Sequence, residues 1–484
     1  MRRVIIERST LASLPPSSVL PASDVIRLLD RLRIPDGLPF VVEDDGSLDS
    51  VSAVNRYLLA AREQGAYSLR SLREFHVYHL LRLLRFVRLR RIQQERGLGL
   101  AEAQRWAVAH GYPRVDLVEA TREDLVAYRE HRLADVQEGS WNTELGCISG
   151  FFEWAQASGL MAGSPIPRWG QRGRNTLSAR QRLTRQPRFL TVPQLRLFLR
   201  LGLRRDGDAS PVALRERNYS YGLVLATMGL RREEAAFLLD CEVPDASELP
   251  TSGVWPFILV GKGDRPRTVY ATSELVSGLD LYRRTERAEL ILDHQDALRR
   301  KMSAGDLIVC EDITRGRDGV PVLRLRGRKV RVDRLDDSER SRAVRVRDDG
   351  IIEPLGLFLG DRGLPIGLRA WNTVFEQARE RVAASESPDK PPAHLTVAPH
   401  ILRHTYAVRM LSALMREGRR RTGDPYLLLA NPVLTVMELL GHADVSTTQR
   451  YLYAAERYSD ELPAALLAVS AATLGQVVAP GGGE

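Results

Sequence analysis

Apolar residues recur at spacings of three and four along most of the chain, a pattern that predicts a protein built mainly of helices. The clearest example lies in residues 76–91, where Leu80, Leu84 and Val87 fall on one face. Helices are predicted over 25–32, 57–61, 76–91, 121–133, 141–157, 219–239, 371–384, 400–414, 433–440 and 446–457.

Several of these helices carry recognisable start signals. Thr121 stands three residues before Asp124, and Thr191 stands three residues before Gln194. Such pairs satisfy each other's free backbone N–H groups and so fix a helix start. A third start is predicted at Ser446 with Gln449, just after Gly441, which suits the left-handed end of the preceding helix.

Two regions favour strands instead. Residues 254–260 and 268–270 flank a Gly-Lys-Gly-Asp-Arg turn, which is typical of a β-hairpin. Residues 305–357 alternate Val, Ile and Leu with Arg and Asp, and predict additional strands or an inserted β-ribbon. The fold class is therefore predicted to be α+β and mostly helical.

The segment 168–188 differs from its surroundings, because it holds seven arginines, two glycines and no acidic residue. Its composition predicts a linker between two domains. Arginines without acidic partners are free to neutralise phosphates, so the linker is a candidate strap across DNA, although a merely solvated linker would look the same. The candidate DNA-binding residues are Arg172, Arg174, Arg180, Arg182 and Arg185.

The net charge of the chain also favours a nucleic-acid partner. The 484 residues carry 70 Lys+Arg against 61 Asp+Glu, a net charge of +9, and only four of those cations are lysines. Arginine binds phosphate through a planar fork and stays charged, so the balance leans towards nucleic acid, although a GC-rich genome gives the same bias. Three isolated cysteines, a short apolar start and no long apolar run predict a cytoplasmic protein without disulfides, zinc or a membrane span.

Three short motifs gather chemically useful side chains. Gly-Leu-Arg-Arg-Glu-Glu places Arg231 three residues from Glu234, which can hold the guanidinium in one rotamer. Pro-His-Ile-Leu-Arg-His places His400 and Arg403 on one helix face. Leu-Gly-His-Ala-Asp-Val-Ser-Thr-Thr-Gln-Arg-Tyr spaces His442 and Tyr451 nine residues apart. Each motif alone fits an ordinary surface pair.

Taken in order, these motifs and the Gly-Lys-Gly-Asp-Arg turn resemble the tyrosine recombinases, the phage integrase family. The resemblance covers about residues 50–460 and includes a helical region ending in Phe-Phe-Glu-Trp-Ala-Gln-Ala-Ser-Gly-Leu, which is similar to the family's core-binding domain. It implies a catalytic set of Arg231, Lys262, His400, Arg403, His442 and Tyr451, with Glu234 in support. Two intervals, between Lys262 and His400 and between Arg403 and His442, are longer than the family usually shows.

The resemblance also implies an organisation and a mechanism. A helical, SAM-like core-binding domain is joined by the basic linker to a mixed α/β catalytic domain. The expected segments are an extension (1–49), the core-binding domain (50–167), the linker (168–188), the catalytic domain (189–475, with an insertion at 291–350) and a tail (476–484).

In the implied reaction, Tyr451 attacks a DNA phosphodiester and forms a 3′-phosphotyrosyl bond, so that neither metal nor ATP is needed. Arg231 and Arg403 stabilise the phosphate charge, each by roughly 3–4 kcal/mol if it acts like other oxyanion donors. His400 is the expected base, Lys262 the expected acid, and His442 a phosphate or tyrosine contact. The expected partners are double-stranded DNA and three further copies of the chain, with a second recombinase as an option.

Other functions remain open at this stage. A sequence-specific DNA-binding protein would keep the basic linker but would have no need for Tyr451 together with Arg231 and Arg403. A tyrosine-type topoisomerase shares the chemistry and differs in relaxing supercoils without sequence preference. A metal-dependent nuclease would need clustered carboxylates, whereas acids such as Asp336 and Asp337 fit solvated turns. Integration, excision and transposition of a mobile element are not separated by the sequence.

Overall fold

The computed structural model describes residues 1–8, 11, 21–44, 50–169, 174–179, 188–207, 214–261, 265–422, 431–442 and 444–458. The chain forms two compact units, Met1–Leu183 and Thr184–Glu484. Helices dominate both units and the sheets are small, so the α+β class predicted from the sequence is confirmed. The finer domain boundaries stay predictions.

In its described residues, the first unit is a helical assembly with two small strand pairs. Its helices are α1 (Ala22–Arg31), α2 (Ser52–Glu63), α3 (Val77–Arg96), α4 (Leu100–His110), α5 (Arg122–Asp135) and α6 (Glu138–Ala157), with helical turns at Leu69–Ser71, Leu72–His76 and Leu117–Glu119. Its strands are β1 (Arg2–Ile5), antiparallel to β2 (Pro39–Val42), and β3 (Arg168–Trp169), antiparallel to β4 (Arg174–Asn175).

The predicted local signals hold in this unit. The Thr121 hydroxyl accepts a hydrogen bond from the Asp124 backbone N–H, which confirms the start of α5. Phe151 and Phe152 of α6 are buried in the core, as the apolar stripe predicts. The N-terminal segment 1–49 contributes to the same core, through Met1, Leu38 and Val41.

The basic linker lies largely outside the described residues. This applies to Arg172, Arg180, Arg182 and Arg185, so their role in DNA binding stays a prediction. Arg174 is described only through its backbone, in β4.

The second unit contains the remaining helices and strands. The helices are α7 (Val192–Leu197), α8 (Arg215–Met228), α9 (Arg232–Ala236), α10 (Ser273–Tyr282), α11 (Ala288–Asp293), α12 (Gln295–Ser303), α13 (Asp337–Arg342), α14 (Leu368–Ala384), α15 (Pro399–Thr422), α16 (Pro432–Leu440) and α17 (Val445–Tyr458). Helical turns continue α7 at Phe198–Arg204 and α10 at Arg283–Arg287, and others lie at Asp240–Glu242, Ala246–Glu248 and Val332–Arg334. Among the described helices, none is both long and apolar enough to cross a bilayer.

The predicted single helix over 219–239 is wrong. The backbone breaks at Gly229, whose φ of +65° is left-handed, and a new short helix starts after Arg231. An added Cβ at Gly229 would lie 2.3 Å from the Tyr406 ring, so the turn needs glycine for space as well as for conformation.

The predicted hairpin is confirmed as β5 (Val254–Gly261) and β6 (Arg265–Thr272), which pair in antiparallel register. The inserted region is only partly a β-ribbon, because its first part forms α11 and α12. Its strands are β7 (Ile308–Arg315), β8 (Pro321–Leu325), β9 (Arg328–Arg331), β10 (Ala343–Val346) and β11 (Ile352–Pro354), in the order β11-β10-β7-β8-β9. Only β7 and β10 run parallel among these pairs.

Helices α15, α16 and α17 close around an apolar cluster that includes Leu411, Leu440 and Tyr451. Gly441 ends α16 with a φ of +62°, as predicted. The predicted Ser446 cap is wrong by two positions, because α17 already begins at Val445 and the Asp444 carboxylate accepts from the Ser446 N–H.

Candidate active site

Arg231 is held by a carboxylate at the start of α9. Its side chain donates to Glu234 Oε1 at 2.7 Å, while its backbone N–H donates to Glu234 Oε2 at 2.7 Å. The Gly229 turn brings the two residues into this capping geometry, since it leaves Arg231 as the residue that precedes the helix. The Arg231 side chain keeps an exposed fraction of 26%.

A second arginine, Arg267 of β6, also donates hydrogen bonds to the Glu234 carboxylate. Its two terminal nitrogens donate to Glu234 Oε1 and Oε2 at 2.9 and 2.5 Å. Burial alone would raise the pKa of Glu234, but the hydrogen bonds from Arg267 and the charges of Arg267 and Arg231 lower it to about 2. Glu234 is therefore a fixed anion that orients Arg231.

Arg403 of α15 is almost completely buried, with an exposed fraction of 2%. It donates to two backbone carbonyls, those of Gly229 and Leu440. Burial and the nearby positive charge of Arg231 lower its pKa to about 10, which still leaves it charged at neutral pH. Arg231, Arg267 and Arg403 together outnumber the single carboxylate, so the cluster carries excess positive charge.

The end of α16 organises all three arginines. Three successive carbonyls accept from three different guanidiniums: Leu439 from Arg267 at 3.1 Å, Leu440 from Arg403 at 2.6 Å, and Gly441 from Arg231 at 2.9 Å. Helix C-terminal carbonyls lack helical partners and lie at the negative end of the helix dipole, so cations are stabilised there. The arrangement fixes the arginines before any ligand binds.

His442 follows directly after this helix end. Its Nδ1 lies 2.8 Å from the hydroxyl of Thr448, which is completely buried. The His442 ring stacks on that of Tyr451, with centroids 6.1 Å apart and planes at 15°. Burial, followed by the charges of Arg403 and Arg231, lowers the pKa of His442 to about 4, so the ring is neutral at pH 7.

Tyr451 of α17 is buried, with an exposed fraction of 3%. Its hydroxyl lies 2.5 Å from Nδ1 of His404, a residue to which the sequence motif assigns no function. Burial raises the pKa of the Tyr451 phenol, and the charges of Arg403 and Arg450 oppose that rise. His400 contacts His404 ring to ring, at 4.1 Å between centroids.

The neighbouring histidines are held neutral. Burial lowers the pKa of His404 to about 3, with further contributions from His400 and Arg403. Partial desolvation, then Arg403, also lowers the pKa of His400, although solvent reaches that ring. Neutral imidazoles accept hydrogen bonds through one nitrogen, which suits the contact between His404 and the Tyr451 hydroxyl.

The structure brings most of the predicted residues together: Arg231, Glu234, Arg403 and His442 around the end of α16, with Tyr451 stacked on His442 and His400 beside His404. Lys262 lies outside the described residues, so its placement stays a prediction.

Sequence reasoning missed two residues. Arg267 lies five positions after Lys262 in a stretch that reads as an ordinary strand, and only its partner Glu234 reveals its function. His404 is adjacent to Arg403, and its position one helical turn from His400 was the available signal.

The cluster can bind a single anion. Each guanidinium offers five N–H donors, and the hydrogen bonds of Arg231 to Glu234 and Gly441 use only some of them. An oxyanion entering from solvent would contact the exposed edge of Arg231 and be attracted by the charge of Arg403. Among the described residues, no group of three or more His, Cys, Asp or Glu side chains is arranged to hold a metal ion.

Comparisons with known proteins give weak structural likenesses. No family model matches the chain, and no curated protein matches it in sequence. The XerH site-specific recombinase bound to difH substrate is similar at 14% identity, covering 92% of this chain and 89% of that one, with a TM-score of 0.40.

Two other solved structures are similar to a comparable degree. A Tn1549 transposon integrase in complex with transposon right end DNA matches at 14% identity, covering 82% and 94% of the two chains, with a TM-score of 0.43. A lambda integrase dimer bound to a COC′ core site matches at 13% identity, covering 75% and 91%, with a TM-score of 0.35.

Proposed function

We propose that this protein is a site-specific DNA recombinase of the tyrosine type, which cuts and rejoins DNA through a covalent bond to Tyr451. The observation that carries the proposal is the arginine cluster at the end of α16, in which Arg231 and Arg403 are fixed beside a buried tyrosine. The order of the sequence motifs along the chain supports it.

The chemistry follows from the charge distribution. A phosphodiester resists attack because it is anionic and because charge grows on its non-bridging oxygens in the transition state. Two guanidiniums that are already oriented stabilise that charge without reorganising. The network through Glu234 and the carbonyls of Leu440 and Gly441 provides this orientation.

Tyr451 supplies the nucleophile. Its oxygen bonds to phosphorus as the bond to the 5′ oxygen breaks, which leaves a 3′-phosphotyrosyl linkage that a 5′ hydroxyl can later attack. The phenol's proton passes to a histidine, His400 in the assignment from sequence, and Lys262 protonates the departing 5′ oxygen. His442 stacks on the tyrosine and contacts it or the phosphate.

Double-stranded DNA with specific recombination sites is the proposed substrate, in service of integration, excision or transposition of a mobile element. Exchange between two duplexes cuts four strands, so four subunits are expected, with a second recombinase as an option. No ATP or metal takes part in the proposed chemistry, and a cytoplasmic location stays a prediction.

Strand exchange itself tests the function. Two labelled duplexes from the flanks of the protein's own gene are incubated with the full chain in EDTA, and recombinant strands are scored on a denaturing gel. A supercoiled plasmid without these flanks serves as the control. Recombinants with an unrelaxed plasmid support the proposal, relaxation without recombinants favours a topoisomerase, and binding without either product favours a DNA-binding protein.

A further inference from the structure

We propose that His404 is a catalytic residue that takes the proton of Tyr451 and does so when the substrate phosphate binds. The inference rests on the proposed function and deepens it, because it places the base at a residue that the motif does not assign. Its foundation is the direct contact between His404 Nδ1 and the Tyr451 hydroxyl, at 2.5 Å.

Geometry favours His404 over its neighbours. The general base must lie within hydrogen-bond distance of the proton it removes. His442 uses its Nδ1 for Thr448, and its ring lies nearly parallel to that of Tyr451, with centroids 6.1 Å apart. Its described hydrogen bonds do not include the Tyr451 hydroxyl. His400 contacts the His404 ring edge to face, and its described contacts do not include the hydroxyl.

The surroundings of His404 set its charge state. The groups acting on His404 are His400 and Arg403 on its own helix, Arg450 beside Tyr451 on α17, and His442 in the loop before it. Burial and these groups disfavour the imidazolium, so the ring is neutral. The inference requires the tautomer in which Nε2 carries the ring's proton, so that Nδ1 accepts the hydrogen bond from the Tyr451 hydroxyl.

This environment makes a substrate-dependent base. Without an anion, burial and the positive charges of Arg403 and Arg450 keep Nδ1 weakly basic. Burial keeps the phenol protonated, although the same two charges oppose it. A phosphate at Arg231 and Arg403 brings negative charge close to His404, and a nearby opposite charge favours the imidazolium and so raises the pKa of the ring. Proton transfer from Tyr451 then becomes easier only when a phosphate is present to be attacked.

Proton transfer and bond exchange occur together in this step. The proton leaves the Tyr451 oxygen for His404 Nδ1, which becomes an imidazolium, while the oxygen forms its bond to phosphorus. The bond from phosphorus to the 5′ oxygen breaks, and that oxygen takes a proton from the general acid. In rejoining, the 5′ hydroxyl returns its proton to the general acid as its oxygen attacks phosphorus, and the departing Tyr451 oxygen recovers its proton from His404.

Substitution of His404 tests the proposal kinetically. His404→Asn keeps an acceptor at the position of Nδ1 but cannot hold a proton, and His404→Ala removes both properties. On the nicked flanking DNA that yields covalent adduct, we expect both variants to form it about 10²- to 10⁴-fold more slowly than the wild type. A 5′-bridging phosphorothiolate substrate, whose leaving thiolate needs no acid, should not rescue them.

His400→Asn is the matched comparison. If it shows the unrescued defect and His404→Asn cleaves at the wild-type rate, His400 is the base and the inference is overturned. Rescue of His404→Asn by the phosphorothiolate would likewise overturn it, because His404 would then serve the leaving group. Absence of wild-type adduct on every fragment would instead count against the proposed function.

NMR spectroscopy without DNA tests independently whether His404 can accept the Tyr451 proton. In the full chain labelled with ¹⁵N-histidine, the His404 signals, identified by their loss in His404→Asn, should report the Nε2–H tautomer. Inorganic phosphate should raise the pKa of His404 in the wild type and leave it unchanged in Arg231→Met. An Nδ1–H tautomer, or a pKa that phosphate does not move, would overturn the inference.

Discussion

At the scale of single residues, the site depends on a carboxylate whose described partners are two arginines. Glu234 accepts hydrogen bonds from both Arg231 and Arg267. The pair of Arg231 and Glu234 could be predicted from the sequence, because three positions on a helix start bring them together. Arg267 could not, since it approaches from a strand 33 positions away and strand patterns do not specify long-range partners.

Removing Arg267 should therefore destabilise the protein. Arg267→Met leaves the buried Glu234 carboxylate with Arg231 as its remaining guanidinium, which should cost about 2–4 kcal/mol of unfolding free energy. Arg200→Met is the control, because Arg200 pairs with Asp206 on the surface with 68% of its side chain exposed, and should change stability by less than about 1 kcal/mol. Urea unfolding measures the stability of both variants. Equal unfolding midpoints for Arg267→Met and Arg200→Met would contradict a stabilising contact between Arg267 and Glu234.

Glu234 also gives the protein an acid-sensitive component of stability. Its pKa of about 2 in the folded state lies below the ordinary 4.5, so its contribution is present above pH 4.5 and is lost as pH falls towards 2. The difference corresponds to about 3 kcal/mol. Glu234→Gln should lose less stability than the wild type between pH 5 and pH 3 in thermal unfolding. Parallel pH profiles of the two proteins would contradict this.

At the scale of elements, the ends of helices are harder to predict from the sequence than their middles. The apolar periodicity predicts α14 to α17 well, because their buried faces repeat every three to four residues. The periodicity fails at Gly229, because the apolar spacing continues although one helix ends there and another begins after Arg231. Only the approach of Tyr406 and the left-handed backbone show why a helix ends there, and both are tertiary facts.

Gly229→Ala should disrupt this junction. The new Cβ meets the Tyr406 ring, and the φ of +65° is strained for alanine, so we expect a loss of about 2–5 kcal/mol. Gly97→Ala is a matched control, because Gly97 also ends a helix, at a φ of +67°, with no atom within 4 Å of the added carbon. It should lose about 1–2 kcal/mol. Similar shifts in the thermal midpoint would contradict the steric account.

At the scale of the whole molecule, the sequence predicts the fold class, the hairpin and the strands within 305–357, but leaves the first part of the insertion unassigned. Residues 291–303 are helical, while the strands begin at Ile308 and continue to Pro354. The five-stranded order could not be predicted, because alternation of apolar and polar residues identifies strands without specifying which neighbours they pair with.

The expected assembly is four subunits on two DNA duplexes. Each subunit offers one Tyr451, so exchange of four strands requires four subunits on two duplexes. Tyr451→Phe should still assemble, because the arginine cluster that binds phosphate is intact. Light scattering with two flanking duplexes should give a protein mass of about four chains of 54.3 kDa. A complex that never exceeds one chain per duplex would contradict strand exchange and favour topoisomerase action.

The most direct test of the central claim is to identify the residue that becomes covalently joined to DNA. The full chain is incubated in EDTA with nicked duplexes from the flanks of its gene, digested with trypsin, and the DNA-linked peptide is sequenced by mass spectrometry. We predict a peptide with the nucleotide attached to Tyr451, and no adduct with Tyr451→Phe. An adduct that persists in Tyr451→Phe, or DNA binding with no adduct at all, would contradict the account.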